Sequence, residues 1–435
     1  MDGTTADGQT QAQKRMSSRV PATSLAHDSL CMIFVLLDLF DLVRCSAVCQ
    51  SWNKVINKSK LLQILYHKQQ GGSIGPSSTS HCSEKPLKVC IEQLAMEHHR
   101  LSLQGLIDIE QWKGHSVRAG QCRMKMGLIL TGVGDKAVRL WSLESYKCLE
   151  EHFLPNLAPL VDFDFDENKI VGLIGTRICI WRRNGKRSIF PSREGTFMKG
   201  LCMRYIDPEA VVGCEDGTAR VFDMYSRKCS RIIRMHSGPV RCLALSDDQC
   251  IISGSSLGSI TISGLSSDQR IAKLRSTDST GISTLCFNPR SHLVFAGSTA
   301  GYASCWDLRT MRPLWENRIS PNVIYSMQHL CSDTHTLVAG GIDGVLRILD
   351  QNTGKVVSGC VMDDSPAPTS SQKTDSIIER KKGRRITEDT LIDSIPKSSR
   401  PPITCLAVGM QKVVTTHNGK YIRMWKFHKD QTLQA

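Results

Sequence analysis

Cysteine and histidine are the most reactive side chains in this sequence, and none stands in a familiar catalytic or metal-binding spacing. The 435 residues include 18 cysteines and 13 histidines, yet the C-x-x-C pair of zinc sites and redox centres is absent. Most cysteines lie in apolar, strand-like runs such as VRCLAL and ITCLAV, as small core residues of a protein kept reduced do. We therefore expect neither a disulfide framework nor a metal site.

Signature motifs of enzymes are missing as well. The sequence contains no HExxH, no GxxxxGK[ST] and no GxGxxG, which removes the usual marks of zinc hydrolysis and phosphate cradles. We predict that the chain is not an enzyme, with no catalytic residue and no cofactor.

The charge of the chain suggests a role in recognition. The net charge is +14, and 177–234 holds 13 basic against 6 acidic residues, which favours acidic partners. Nucleic acid is the less favoured one, because aromatic residues do not alternate with basic ones as in a stacking platform. The longest apolar run, Leu30 to Leu37, is far below the roughly 20 residues that cross a bilayer, so we expect no membrane partner and a location in the cytoplasm, the nucleus or both.

A repeat of about forty residues runs through most of the chain. Each unit has four alternating apolar and polar segments bounded by Gly, Asp and Ser, which is the pattern of short β-strands. The third segment of each unit ends on an apolar or aromatic residue: Trp141, Trp181, Phe222, Ile262, Trp306, Leu349 and Trp425.

Between Leu103 and Phe427 this repeat resembles the WD-repeat β-propeller. The marks are Gly114-His115 with Asp135 and Trp141, Asp216-Gly217, Trp306-Asp307, Asp343-Gly344, and Asn418-Gly419 with Trp425. The resemblance implies a structural network of His115, Thr131, Asp135 and Trp141 in the first repeat. The turn aspartate is missing around Thr176, Leu257 and Ala300, so those blades are expected to depend more on packing.

Seven repeats predict a seven-bladed propeller over 103–430. The seventh repeat lacks a fourth strand, and the apolar stretch Leu103 to Trp112 is expected to supply it, because an open ring would leave an unpaired edge. The alternation of apolar and polar residues that is typical of strands stops over about 361–402. This stretch is rich in Ser, Thr, Pro and charged residues, so we expect a disordered insertion there. Its cluster Arg380 to Arg385 resembles a nuclear-import or anion-binding patch.

The N-terminal region has a helical period instead. Leu30, Ile33, Phe34 and Leu37 fall at i, i+3, i+4 and i+7, and further short helices are predicted within 23–68. Residues 1–22 are expected to be disordered, and 69–102 to be a linker with a helix. So few helical residues cannot bury all their apolar side chains alone, which implies a partner.

The helical segment resembles the F-box: Leu25, then Leu30-x-x-Ile33-Phe34-x-x-Leu37, Asp41-Leu42-x-Arg44, and Val48-Cys49-x-x-Trp52. The expected fold class is thus a small all-α F-box segment followed by an all-β seven-bladed WD-repeat propeller. The resemblance implies docking on the SCF adaptor protein, and through it on a cullin, by Leu25, Ile33, Phe34, Leu37, Val48 and Trp52. A bundle packed on the propeller and a dimerising helix pair are the alternatives.

An F-box followed by a WD propeller is similar to the substrate-recognition subunit of an SCF-type ubiquitin ligase. Alignment of the repeats on the first apolar residue of each innermost strand places Arg118, Lys199, Arg241 and Tyr325 around the mouth of the central channel. Such a ring suits an acidic or phosphorylated protein substrate, because Arg binds carboxylate and phosphate oxygens bidentately. The alternatives are a WD-repeat scaffold outside any ligase and a nucleic-acid-associated propeller.

Overall fold

The structure is a computed structural model that describes residues 27–37, 39–70, 106–132, 136–154, 159–183, 187–189, 199–246, 250–265, 270–277, 280–330, 335–363, 378–387, 390–409 and 412–428. The chain divides into two compact units, Met1–Ala95 and Met96–Ala435. The predicted disordered 1–22 and the helix predicted in the 69–102 linker lie outside the described residues.

The described part of the first unit is helical. Its four helices are α1 (His27–Phe34), α2 (Leu39–Ser46), α3 (Gln50–Lys58) and α4 (Leu61–Gln70). Their shared core consists of Leu30, Phe34, Leu42, Val55 and Ile56, with Trp52 packed against it. The helical prediction for this segment is therefore confirmed.

Two local features define how these helices meet. The Cys49 thiol caps α3 by accepting a hydrogen bond from the backbone N–H of Trp52 at 3.5 Å, which satisfies one of the free donors of a helix N-terminus. The rings of Phe34 and Trp52 meet edge to face with centroids 5.3 Å apart, a favoured aromatic geometry. Phe34 is therefore a core residue of the unit.

The second unit consists of four-stranded antiparallel sheets, two of which are joined by a shared fifth strand. Its first strand is β1 (Leu106–Lys113). Blade one is β2 (Gln121–Lys125), β3 (Leu128–Gly132), β4 (Ala137–Ser142) and β5 (Cys148–Phe153), and blade two is β6 (Leu160–Phe165), β7 (Lys169–Ile174), β8 (Arg177–Arg182) and β9 (Arg187–Ile189). Blade three is β10 (Gly200–Ile206), β11 (Glu209–Cys214), β12 (Thr218–Asp223) and β13 (Lys228–Arg234).

The remaining blades repeat this order. Blade four is β14 (Val240–Leu245), β15 (Cys250–Ser255), β16 (Ser259–Gly264) and β17 (Arg270–Arg275), and blade five is β18 (Ile282–Asn288), β19 (Leu293–Ser298), β20 (Tyr302–Asp307) and β21 (Arg312–Arg318). Blade six is β22 (Ile324–His329), β23 (Thr336–Gly341), β24 (Leu346–Asp350) and β25 (Val356–Met362), followed by β26 (Ile378–Ile386), β27 (Cys405–Gly409), β28 (Lys412–Thr416) and β29 (Tyr421–His428).

The sequence period corresponds to one register position in six blades, and in blade four Ile262 lies one residue before that position, which Ser263 occupies. The innermost strands contact one another in ring order, β2, β6, β10, β14, β18, β22 and β27, and β27 contacts β2. All seven residues of the forty-residue period lie on third strands and are buried: Trp141, Trp181, Phe222, Ile262, Trp306, Leu349 and Trp425. The seven-bladed propeller is confirmed.

Strand β1 closes the ring as predicted. It pairs antiparallel with β29 over its whole length, from Leu106 opposite His428 to Lys113 opposite Tyr421. The first strand of this unit therefore completes the blade that β27, β28 and β29 begin, and the ring has no open edge at its seam.

The expectation of a disordered insertion over 361–402 is wrong for part of that range. Strand β26 pairs with β1 through residues 378–383 and with β25 through residues 383–386. It therefore fastens the outer strand of blade six to the outer strand of blade seven. The backbone edges of β1 and β25 provide the hydrogen bonds that order β26. The charge-rich composition of the segment does not reveal that such edges are available to it.

The end of the same insertion is ordered as well. Ile395 is buried against Val345 and Val361 of blade six, and the carbonyl of Ser399 accepts a hydrogen bond from the N–H of Met362 at 3.1 Å. Residues 390–402 include a short 3-10 turn, Ile392–Ser394. Within the insertion, 364–377 and 388–389 are outside the described residues.

Among the helices that the structure describes, none is long and apolar enough to cross a membrane.

Candidate functional site

The helical unit exposes a set of large apolar side chains. They lie on α1, in the turn after it and in the turn before α3: Met32, Ile33, Val35, Leu36 and Val48. Leu36 is 85% exposed and Val48 is 63% exposed. So many exposed large apolar side chains on so small a unit are typical of a docking surface, and we call these five residues the apolar face.

The residues predicted to contact the adaptor separate into two groups. Ile33 and Val48 belong to the apolar face, whereas Phe34 is buried and Leu37 and Trp52 are half-buried supports. Leu25 lies outside the described residues. Sequence reasoning missed Leu36, because it continued the helical stripe to Leu37, whereas α1 ends at Phe34 and the chain turns there.

The mouth of the propeller has a recurring irregularity. In blades two to six the innermost strand carries a one-residue register shift near its start, and the residue at the shift differs from blade to blade: Val161, Leu201, Arg241, Ser283 and Tyr325. Bulges of this kind re-aim a side chain away from the ladder. Arg241 and Tyr325 are exposed there.

The sequence alignment is wrong by two residues for the other two predicted mouth residues. The carbonyl of Lys199 accepts the N–H of Glu215, as that of Pro239 accepts the N–H of Ser256, so Lys199 corresponds to Pro239. Arg118 is likewise two residues before Gly120, whose N–H binds the next strand. Both are exposed, but each lies two residues before the mouth position of its blade.

The two hydroxyl side chains of the mouth are bonded within their own blades. The hydroxyl of Ser283 donates to the carbonyl of Gly297 at 2.8 Å, and that of Thr404 to the carbonyl of Thr416 at 3.0 Å. At the mouth itself, Arg241 and Tyr325 are thus the exposed side chains with hydrogen-bonding or cationic chemistry, and binding by any of the four predicted residues stays a prediction.

The predicted network of the first repeat is present in its described part. His115 Nε2 lies 2.8 Å from Thr131 Oγ1, which also accepts the indole N–H of Trp141 at 2.8 Å. Arg139 Nη1 is 2.8 Å from His115 Nδ1. Because Arg only donates, Nδ1 accepts, and Nε2 donates to Thr131. Asp135 lies outside the described residues.

Two further histidines form related networks that the sequence analysis missed. In blade four, His236 Nε2 lies 2.9 Å from Ser253 Oγ and Nδ1 lies 3.0 Å from Ser259 Oγ. In blade seven, His417 comes from the blade's own turn, with Nε2 2.8 Å from Thr415 Oγ1. In the sequence, the signal for them was a histidine before the inner strand of blade four and a histidine in a turn of blade seven. Neither histidine directly follows a glycine, as the histidine of the first repeat does.

Two of the three turns that lack the family's aspartate have a serine that makes the turn bond instead. In blade four the Ser255 hydroxyl accepts the N–H of Leu257 at 3.1 Å, and in blade five the Ser298 hydroxyl accepts the N–H of Tyr302 at 3.0 Å. In blades four and five, where more dependence on packing was expected, a hydroxyl two positions before the missing aspartate therefore makes the turn bond.

Buried histidines make the propeller sensitive to acid. Burial lowers the pKa of His236 to about 4 and that of His417 to about 3, from about 6.5 in an unfolded chain. The folded state binds fewer protons, so stability is full above pH 6.5 and falls towards pH 4, by about 3 kcal/mol for His236.

Urea unfolding at pH 7.5 and at pH 4.5 will measure this loss. A His236→Gln variant should be less stable than the wild type at pH 7.5. On acidification, however, its free energy of unfolding should fall less than that of the wild type, by about the 3 kcal/mol assigned to His236. Identical pH dependence of the two proteins would refute the assignment.

Two buried carboxylates connect three blades. Asp162 lies 2.9 Å from Arg123 Nη2 and 3.2 Å from Arg204 Nη1, and it accepts the N–H of Met203 at 2.9 Å. Asp162 lies on β6, Arg123 on β2 and the other two partners on β10. Blade two, whose turn lacks the family's aspartate, is therefore tied to both neighbours by charge.

Asp164 repeats this arrangement two residues later. It lies 2.6 Å from Lys125 Nζ and accepts the N–H of Tyr205 at 3.2 Å. Burial alone would raise the pKa of Asp164, but Lys125, Arg123 and Arg204 outweigh it and hold that pKa below the usual value. The side chain is therefore ionised in the folded protein at neutral pH.

The same side chains border a cavity of about 250 Å³ between the innermost strands. Its lining includes Arg123, Lys125, Arg204, Asp164 and His329. The cations of this lining are thus already partnered by buried carboxylates. No group of three or more potential metal ligands occurs in the part of the chain that the structure describes.

The basic cluster Arg380 to Arg385 is part of a sheet. It lies on β26, whose backbone is paired with β1 and β25. Lys382 Nζ is 2.9 Å from Asp108, Arg380 Nε is 3.6 Å from Glu110, and Arg385 donates to the Ser358 hydroxyl at 2.8 Å. A receptor that reads an extended basic peptide would therefore have to displace these contacts.

Both parts of the chain match known protein families. Residues 27–67 match the F-box-like family model, and residues 227–262 and 268–307 match the WD domain, G-beta repeat. An F-box/WD-40 repeat-containing protein of Arabidopsis thaliana is 54% identical over 452 residues, covering 98% of this chain and 99% of that protein.

More distant similarity is confined to parts of the chain. The DENN domain and WD repeat-containing protein SCD1 of Arabidopsis thaliana is 28% identical over 34% of this chain and 13% of its own length. The guanine nucleotide-binding protein subunit beta-like protein 1 of Mus musculus is 28% identical over 29% of this chain and 41% of its own. The nearly full-length match at 54% identity shows that the chain belongs to the F-box/WD-40 repeat proteins.

Proposed function

We propose that this chain is the substrate-recognition subunit of an SCF-type ubiquitin ligase. The observation that carries the proposal is the apolar face, which a four-helix unit with its own core leaves exposed. In an F-box family member such a face suits the SCF adaptor protein, and through it a cullin. The subunit itself would perform no bond chemistry.

The propeller mouth is the proposed site for the substrate. Arg241 supplies an exposed guanidinium that can bind carboxylate or phosphate oxygens, and Tyr325 supplies an exposed ring two blades away. Arg118 and Lys199 add positive charge just outside the mouth. An acidic or phosphorylated protein segment is therefore the proposed ligand.

Affinity capture from cells tests this division of labour. Arg241→Glu combined with Tyr325→Ala should abolish capture of the substrates that accumulate when the protein is absent, while the amount of captured adaptor stays the same. Arg182→Glu, an exposed arginine at the opposite end of a blade, is the matched control and should capture both. Unchanged substrate capture by the double variant would contradict the mouth as the site.

A WD-repeat scaffold outside any ligase is the second candidate. It shares the propeller but needs no adaptor, so a chain that captures other proteins and never the adaptor would favour it.

A further inference from the structure

Five blades end in an outer strand that has no further strand beside it in the described part of the chain, and β13, β17 and β21 are those of blades three, four and five. Blades six and seven differ, because β26 covers their outer strands β25 and β1. We call the outer strands β13, β17 and β21 the basic rim, because each of them carries two or three Lys or Arg residues.

Register places exposed cations at both ends of each strand of the basic rim. At one end, Lys228 and Arg312 lie opposite the last residue of the third strand, and Arg270 lies opposite the last but one. At the other end, Arg234, Arg275 and Arg318 lie opposite its first residue. All six side chains are exposed, so two rows of cations run across the three blades.

Acidic residues are scarce on the same strands. Neither β13 nor β17 contains an acid, and Glu316 of β21 is already bonded to the hydroxyls of Ser276 and Thr277. Each strand also exposes about half of one aliphatic side chain: Ile232, Ile271 and Leu314. The basic rim therefore combines positive ends, an aliphatic contact and an unpaired backbone edge.

Blades six and seven demonstrate what such an edge can bind. There, β26 adds as a fifth strand, and its bases stand directly opposite acids of β1: Lys382 faces Asp108 and Arg380 faces Glu110. Opposite charges across a ladder stabilise a pair of strands, and like charges destabilise it. On the basic rim the signs are reversed, so the complementary strand is an acidic one.

We propose that the basic rim binds an acidic, extended segment of a partner protein, which adds to β13 as a fifth strand. Acidic residues six positions apart would face Lys228 and Arg234, with an apolar residue against Ile232. Edge cations deter neutral and basic strands and leave an acidic strand compatible. A nucleic acid would leave the aliphatic side chains unused, and a lipid surface would leave the backbone edge unused.

Peptide binding to the full chain tests the proposal. The probe is a labelled nine-residue peptide with glutamates six positions apart and a valine and threonine centre. We expect it to bind the wild type and to bind Lys228→Glu combined with Arg234→Glu at least tenfold more weakly. A peptide with lysines in place of the glutamates should show the opposite preference.

Controls distinguish the strand from charge alone. Arg177→Glu, an exposed arginine on a third strand, should bind like the wild type, and the melting temperature of each variant shows that it is folded. Methylation of alternate backbone amides should abolish binding of the acidic peptide. Equal binding of the methylated peptide, or a preference for anionic phospholipid vesicles or a single-stranded oligonucleotide over the acidic peptide, would overturn the proposal.

Discussion

Replacement of Asp162 by alanine will destabilise the propeller by about 3 to 5 kcal/mol, the usual cost of breaking a buried ion pair. The substitution leaves Arg123, which is mostly buried, and Arg204 without their shared carboxylate. It also leaves the N–H of Met203 without its acceptor. Since proteins of this kind are stable by about 5 to 15 kcal/mol, the loss is a large fraction of the total.

Denaturant unfolding followed by tryptophan fluorescence will measure this loss, because six of the seven tryptophans lie in the propeller. Asp393→Ala is the matched control. Its carboxylate pairs with Arg400 at 3.3 Å but is fully exposed, and exposed pairs contribute little. A loss below about 1 kcal/mol for Asp162→Ala would contradict the role assigned to this carboxylate.

Leu36→Asp combined with Val48→Asp will weaken adaptor binding at least about 100-fold, as hot-spot residues at the centre of an interface do. Both side chains are mostly exposed, so the core of Leu30, Phe34 and Leu42 should stay intact. The new carboxylates would have to lose their water in the interface without a partner. Trp52→Ala is a poorer test, since Trp52 packs on Phe34 and its loss also loosens the helices.

Titration of the purified adaptor onto the full chain will measure the effect. Ile64→Asp is the matched control, because Ile64 is an equally exposed apolar residue on α4, which carries none of the predicted adaptor residues. Equal affinity of the double variant and the wild type would show that the apolar face is not the docking surface.

The overall architecture follows from local patterns of the sequence. Strands have a period of two, and the forty-residue repeat recurs on buried residues such as Trp141 and Trp425. Both patterns can be recognised in the sequence without any knowledge of tertiary contacts. Closure of the ring by β1 could also be predicted from the sequence, because a seventh repeat without a fourth strand requires a strand from elsewhere in the chain.

The parts that escaped prediction depend on contacts distant in sequence. Strand β26 is held by β1, about 270 residues earlier, and composition alone makes such a segment look disordered. The bonds of Asp162 to Arg123 and Arg204 span neighbouring repeats. The mouth was misaligned for Lys199 because the alignment began two residues before the position that the hydrogen-bond register defines, and a sequence alignment on apolar residues does not detect that register.

The central claim is that this chain links a cullin to a substrate through an adaptor held by the helical unit. Light scattering of the purified chain mixed with the adaptor and the cullin tests that claim most directly. The account predicts a complex with one copy of each protein, formed by the wild type and by Ile64→Asp but not by the Leu36→Asp and Val48→Asp double variant. A wild-type chain that stays apart from the adaptor, or a complex that the double variant also forms, would contradict it.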